Sequence, residues 1–374
     1  MKFVVSKKRF ATALKTIAPA VGIKSTLPVL TGVRITATDS GLVLEGTDLE
    51  ASARVILHDD VKVEQPGGVV TPMKALGKAI ASMTADEIAI ESTETPARVV
   101  LRSGTRTVTL DCYPVEDFPT TVDQAAFEPI ASVDATALAE VFGRASLCSS
   151  KDEARPVLTS VALFFKEGSS VLEVVATDSY RMGILSVPVT TKAGETRAML
   201  VPSRVVKELA KQLRKSRSHV EIGSAAGGQI GFAFDSTFWS SRLIEGEYPN
   251  WQQIVPGETG AALEFEVDEM ASALKAATAV GNGNGTPVRL NLAETTTLSL
   301  VEGDATAIRE TLASAAFSPD GVGALEVAFN AVYLADALKF VGDERARMWI
   351  RDGLKPALIG PPDRRYVLMP VRLS

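Results

Sequence analysis

Histidine and cysteine are nearly missing from this 374-residue chain, which has two of each: His58 and His219, Cys112 and Cys148. Two thiols are too few for a disulfide framework, and they suit a reduced, cytoplasmic protein with two partly buried cysteines. Both histidines lie in strand-like, polar or charged surroundings, and neither an HExxH motif nor a Cys/His ligand spacing is present. No metal and no cofactor are therefore expected. No GxSxG elbow occurs. No apolar run approaches the ~18 residues of a membrane span. The start, "MKFVVSKKRF", lacks the long apolar stretch of a secretory signal, so no membrane partner is expected. "GNGNG" at 281–285 is only superficially like a phosphate loop, because no Lys-Ser/Thr comes after it.

What the chain does have is repetition. With 46% hydrophobic and 22% charged residues it is globular, and its length suggests two or three domains. "TLPVLTGVRI" (26–35), "ARPVLTSVAL" (154–163) and "GTPVRLNL" (285–292) each read as a proline-led apolar strand. "LVLEGTDLEASARV" (42–55), "LEVVATDSYRMGIL" (172–185) and "LSLVEGDATAIRET" (298–311) come next, each a strand, an acidic turn and a strand. Then come "VVTPMKALGKAIASM" (69–83), "MLVPSRVVKELAKQL" (199–213) and "VAFNAVYLADALKFV" (327–341), strands running into helices. An amphipathic segment precedes each copy, at 6–21, 134–148 and 268–280. Asp48 to Asp178, Pro72 to Pro202 and Phe118 to Tyr248 are all separated by 130 residues; the third copy is more divergent. The pattern predicts an α+β fold of three repeated domains, 1–126, 127–256 and 257–374, with six helices and much antiparallel strand.

Charge is segregated along the same lines. The helical segments 6–21, 72–83, 134–148, 202–217, 268–280 and 330–341 together carry +9 in a chain of −6, which leaves −15 on everything else. Wound at ~100° per residue, residues 204–215 place Val205, Val206, Leu209, Ala210 and Leu213 on one arc; Arg204, Lys207, Lys211, Arg214 and Lys215 lie opposite. In the first helix Phe10, Leu14, Ile17 and Val21 share a face across from Lys8, Arg9 and Lys15. Solvated faces of ordinary helices account for any one of these stripes. An acidic remainder with basic helices is also what a protein presenting helices to a phosphate backbone would show. No aromatic ladder and no base-reading motif accompany the cations, so such binding would be independent of sequence and sensitive to salt.

The most chemically loaded stretch is "TDSYRM" (177–182), where Asp178, Tyr180 and Arg181 form the best catalytic candidate in the chain. Its relative "GTDLEA" (46–51) has the same Thr-Asp with neither Tyr nor Arg after it. The aspartate is then a turn-former, and individuality lies in the side chains placed after it. A hydrolase built on Asp178, Tyr180 and Arg181 is the weakest of the readings, and no catalytic residue is assigned.

The threefold plan, with "LPVLTGV", "GTDLE", "ATDSYRM", "EGEYPNW" and the C-terminal "YVLMPVRL", resembles the bacterial DNA polymerase III beta sliding clamp family over essentially the whole chain. The resemblance implies a head-to-tail homodimer, a pseudo-sixfold ring linked topologically to double-stranded DNA, with helices lining the hole and sheets outside. It implies a non-enzymatic processivity factor whose partners are the polymerase III alpha subunit, the clamp loader, other polymerases and repair proteins. By the resemblance Arg9, Lys15, Lys24, Lys74, Lys78, Arg204, Lys207, Lys211 and Arg214 are DNA-channel candidates. A pocket for linear peptides would have Leu158, Thr177, Ser179, Tyr180, Arg181, Met182, Pro249 and Ile254 on one wall. Leu354, Pro356, Val367, Leu368, Met369, Pro370, Val371 and Arg372 would form the other. An apolar, Met-bearing groove with a few polar groups suits partners that vary in sequence; the same aliphatics also suit a strand core. The subunit interface would set Lys74, Arg102, Arg106 and Leu110 against Val280, Glu302 and Glu310.

The sequence departs from the family at Ser179, Tyr180 and Met182, where Gly, His and Leu are common, and at Gln253, where an Arg is frequent. Pro156 and Val157 stand where some relatives place aromatics. These departures raise a second possibility, a specialised second clamp with altered partner or inhibitor binding.

Overall fold

The computed structural model describes residues 1–93, 97–121, 124–191, 194–281, 285–302, 305–321 and 323–372. Among the described residues there are six α-helices: α1 (Lys7–Ile17), α2 (Met73–Ser82), α3 (Ala135–Ala145), α4 (Ser203–Leu213), α5 (Val267–Val280) and α6 (Ala331–Val341). Each begins directly after a strand. In α1 the apolar stripe Phe10, Leu14 and Ile17 is buried, and in α4 Val205, Val206, Leu209, Ala210 and Leu213 are buried. The charged arcs of both helices face solvent, as the 3.6-residue period requires.

Three α+β clamp domains with antiparallel sheets and two helices each make up the chain. Packing nevertheless gathers it into two compact units, one of Met1–Thr136, Val189–Ala193 and Lys211–Leu243, the other of Ala137–Pro188, Gly194–Ala210 and Ile244–Ser374. The reason is that the large sheets cross the repeat borders. In the first unit a nine-stranded antiparallel sheet runs Thr190–Thr191, Glu128–Asp134, His219–Ala225, Gln229–Phe234, Thr237–Arg242, Ala51–Leu57, Gly41–Thr47, Gly32–Thr38, Gly67–Pro72. Thr237–Arg242, from the second repeat, pairs with Ala51–Leu57, from the first, through Trp239↔Ala53. In the second unit the equivalent sheet joins Arg181–Pro188 to Arg364–Leu368, with Met182 opposite Val367. A five-stranded sheet in the first unit ends on Arg106–Asp111, and a four-stranded sheet in the second ends on Ala305–Thr311.

One expectation needs correcting. "PVLT" is not strand: Pro28–Thr31 and Pro156–Thr159 are 3-10 turns, with the strands beginning at Gly32 and Ser160. Proline opens the turn with its φ already fixed and no donor to lose. The threonine hydroxyl closes it, donating 2.7 Å to the proline carbonyl in both copies. In the third copy Pro287 starts a strand directly. The "GNGNG" segment lies largely outside the described residues.

Candidate functional site

The strand pair Val171–Thr177 and Arg181–Pro188 is joined by the turn 178–180. Thr177 Oγ1 donates to the Arg181 carbonyl at 2.7 Å and accepts from the Ser179 amide at 3.2 Å. Asp178 Oδ1 accepts from the amides of Tyr180 and Arg181, both at 3.0 Å. Ser179 sits at φ 79°, in the left-handed region. The turn 48–50 repeats all of this: Thr47 Oγ1 to the Ala51 carbonyl at 2.9 Å, the Leu49 amide to Thr47 Oγ1 at 3.0 Å, and the Glu50 and Ala51 amides to Asp48 Oδ1 at 3.0 and 2.8 Å. Leu49 takes φ 74°. Thr-Asp is thus a backbone device that supplies acceptors inside a tight turn, and a catalytic reading of Asp178 loses its basis.

The second turn carries more. The Arg181 side chain is 10% exposed, and its guanidinium bridges Asp178 Oδ2 (3.0 Å) and Asp336 Oδ2 of α6 (2.7 Å). Its carbon lies 4.3 Å from the centroid of the Tyr333 ring. The Tyr366 hydroxyl stands 3.4 Å from the same guanidinium and donates to the Tyr333 carbonyl at 3.0 Å. Burial works to lower the Arg181 pKa, but the facing Tyr366 and Asp336 outweigh it and hold it raised. Burial likewise lifts the Tyr366 phenol and the Cys148 thiol beside it. Arg181, expected as a wall-facing side chain, is therefore engaged beneath the surface.

Several groove candidates are exposed apolar side chains. Tyr180 is 60% exposed and stacks on Tyr333, with centroids 6.4 Å apart and planes 30° apart. Leu354 (64%), Ile254 (47%), Met369 (38%) and Val371 (37%) are exposed as well. Half of the ten exposed large hydrophobics among the described residues thus come from the sixteen groove candidates. Met369 and Tyr180 are neighbours through their backbones, and exposed apolar side chains that adjoin one another mark interaction sites better than scattered ones do. Pro249, Ser179 and Arg372 are exposed, and Pro356 and Pro370 are half-buried. Leu158, Thr177, Met182, Val367 and Leu368 are buried. Met182 and Val367 pack with Val175, Ile184, Trp251 and Leu358 in one cluster, bordered by Phe164, Tyr248, Val255 and Trp349. These residues form a floor of core side chains. The terminal segment is fixed by backbone bonds from the Met369 amide to the Tyr180 carbonyl (2.9 Å) and from the Val371 amide to the Ala328 carbonyl (2.8 Å).

Sequence reasoning missed Tyr333, Asp336 and Asn330. Asn330 caps α6, its Oδ1 accepting from the Val332 and Tyr333 amides at 2.9 and 3.2 Å. That cap fixes the first turn, from which Tyr333 reaches Tyr180. "NAVY" (330–333), an N-cap residue with an aromatic three positions on, was the available signal.

All nine channel candidates are exposed. Arg9 is also 3.1 Å from Asp60, and Lys207 is held below the usual lysine range by desolvation first and the nearby Lys151 second. Of the interface candidates, Arg102 pairs with Glu91 at 2.9 Å, Arg106 donates to the Ser82 carbonyl, Leu110 and Glu310 are half-buried, and Val280 is 52% exposed. The side chain of Glu302 lies outside the described residues. His58 and His219 both line a shallow cleft of about 330 Å3 in the first unit, with Phe234 and Asp235. Among the described residues no group of three or more His, Cys, Asp or Glu is placed to hold a metal, and no helix is long and apolar enough to cross a membrane.

Comparison with known proteins agrees over the full length. Models of the DNA polymerase III beta subunit match in series: the N-terminal domain at residues 1–123, the central domain at 132–250 and the C-terminal domain at 252–372. A beta sliding clamp of Pseudomonas aeruginosa is 26% identical over 379 residues, and one of Chlamydia muridarum 27% over 376. The chain is covered completely in both, as are 100% and 99% of the relatives. The solved sliding clamp of Bacillus subtilis superposes with a TM-score of 0.92 at 23% identity, each chain covered completely.

Proposed function

The chain belongs to the DNA polymerase III beta subunit family, non-catalytic sliding clamps that act as processivity factors of the polymerase, and from that premise we propose how its surfaces do this work. The apolar surface around Tyr180, Ile254, Leu354, Met369 and Val371 docks linear peptides of the polymerase III alpha subunit, the clamp loader, other polymerases and repair proteins. The observation that carries this is that half of the exposed large hydrophobics among the described residues are groove candidates, in a region whose Met182 and Val367 belong to one buried cluster. Anchors of this kind gain affinity by desolvation, and a pre-formed floor avoids the cost of ordering. Deleting residues 371–374 is expected to abolish binding of a polymerase-tail peptide and leave the dimer intact; retained affinity would refute the docking site.

The exposed cations Arg9, Lys15, Lys24, Lys74, Lys78, Arg204, Lys207, Lys211 and Arg214 make weak phosphate contacts with duplex DNA. Weak contacts are the useful kind, because a topologically linked ring must slide. Reversing Arg204, Lys207 and Lys211 to Glu is expected to slow loading onto circular DNA, and an unchanged rate would count against the channel. Three domains per chain, 1–126, 127–256 and 257–374, form half of a pseudo-sixfold ring in the cytoplasm. The open edge strands Arg106–Asp111 and Ala305–Thr311 are what support a head-to-tail pairing, since an unpaired edge is a template for another strand. On and beside these edges the candidates are Arg102, Arg106 and Leu110 facing Val280, Glu302 and Glu310. The solution mass should be about twice 39.6 kDa; a stable monomer at micromolar concentration would sink the ring.

The Tyr180–Tyr333 stack favours a second reading, a specialised clamp with its own ranking of partners or inhibitors. Affinities for a panel of peptides from different partners, measured with the chain and with Tyr180→His, would reveal it as a changed order.

A further inference from the structure

We propose that Asp336 is a positioning residue of the docking surface: through Arg181 it holds Tyr180 against Tyr333, and so sets how tightly a peptide is held. The inference rests on the reading of that surface as a peptide site.

Among the described residues the hydrogen bonds of Tyr180 are made by its backbone. Its amide donates to Asp178 Oδ1 at 3.0 Å and its carbonyl accepts from Met369 at 2.9 Å. The ring, 60% exposed, has Tyr333 as its aromatic partner. The surface the ring presents is therefore set by where Tyr333 stands relative to the turn 178–180.

That relation passes through Arg181. Its pair with Asp178 spans three residues of one turn and holds only the turn. Its bond to Asp336 reaches 155 residues along the chain to α6, one helical turn beyond Tyr333. The guanidinium carbon also rests 4.3 Å from the Tyr333 centroid. Asp336 thus ties the turn carrying Tyr180 to the helix carrying Tyr333, in a place where both side chains of the ion pair are at most 15% exposed. At that burial a charge-assisted bond is directional and only weakly screened. Asp336 Oδ1 additionally accepts from Lys339 at 3.0 Å, which steadies the carboxylate from the solvent side. Asp336 itself needs no contact with the peptide.

The test is a thermodynamic cycle on the full-length chain, using a fluorescently labelled peptide copied from the polymerase tail and read by anisotropy. Asp336→Asn is expected to weaken binding about tenfold, and in a Tyr180→Ala background to add less than about twofold, because coupled neighbours are not additive. Asp336→Glu, which keeps the charge, is expected to recover most of the loss. Dimer mass should not change in any variant. A role confined to folding would not produce the non-additivity with Tyr180. Should Asp336→Asn fail to fold, Tyr333→Leu removes the stacking ring and leaves the Asp336–Arg181 pair; it must show the same loss and the same non-additivity. Affinity within twofold of the parent chain, or an equal loss with and without Tyr180, would overturn the inference alone. Unimpaired binding after deletion of residues 371–374 would instead overturn the docking reading, and the inference with it.

Discussion

The turns at 47–51 and 177–181 are the same object built twice. Both place a threonine hydroxyl under the turn, an aspartate over it, and a non-glycine residue at positive φ. The positive-φ residue is Leu49 in one and Ser179 in the other, and the last two residues differ as well: Glu50 and Ala51 in one, Tyr180 and Arg181 in the other. In the second the two added side chains reach α6 and become part of an exposed aromatic surface above a buried ion pair. The comparison teaches that the polar motif is structural and that the residues appended to it carry function, which is the expected division when one scaffold is repeated and specialised.

The largest break in that comparison is Arg181→Ala, which gives the second turn the residue found at Ala51. The first turn is built around alanine, whereas the second would leave Asp178 and Asp336 without the guanidinium they share. A loss of about 3–5 kcal/mol is expected for removing one partner of a buried pair, measured by urea unfolding.

A smaller break is Gly183→Ala. The corresponding residue of the first repeat is already Ala53, 1% exposed. At Gly183 an added Cβ would come within 2.4 Å of the Phe340 ring and 2.9 Å of Cys148 Sγ. Overpacking of this kind costs about 1–3 kcal/mol, so the thermal midpoint should fall.

The smallest effect sharpens the comparison instead. Thr47→Ala and Thr177→Ala remove the same pair of hydrogen bonds from the two turns, and Thr47→Ala also removes the acceptor of the Ser52 hydroxyl at 2.9 Å. Each should cost about 1–2 kcal/mol, with Thr47→Ala the larger by no more than the Ser52 bond; losses that differ by more would show that the two threonines do different jobs. Only Thr177→Ala should also weaken the polymerase-tail peptide.

Much of this was legible in the sequence. The 130-residue spacing and the 3.6-residue stripes predicted three α+β repeats and six helices because periodicity is local information. The Pro-Val-Leu-Thr turns were misread as strand, since four apolar or β-branched residues look alike in both states until Thr31 and Thr159 are seen bonding back to proline carbonyls. Pairing between repeats was invisible: nothing in Arg54 or Phe238 announces that they are neighbours. The same limit hid Asp336 and Tyr333, whose partners lie more than 150 residues away in sequence. Burial sorted the groove candidates in a way that residue type could not, separating exposed Tyr180, Leu354 and Met369 from the Met182 and Val367 floor.

The most direct measurement of the central claim is amide hydrogen exchange of the full chain, free and saturated with the polymerase-tail peptide. Protection is expected at 178–182 and 367–372 and none at 47–51; protection at 47–51, or none at 178–182, would contradict the account.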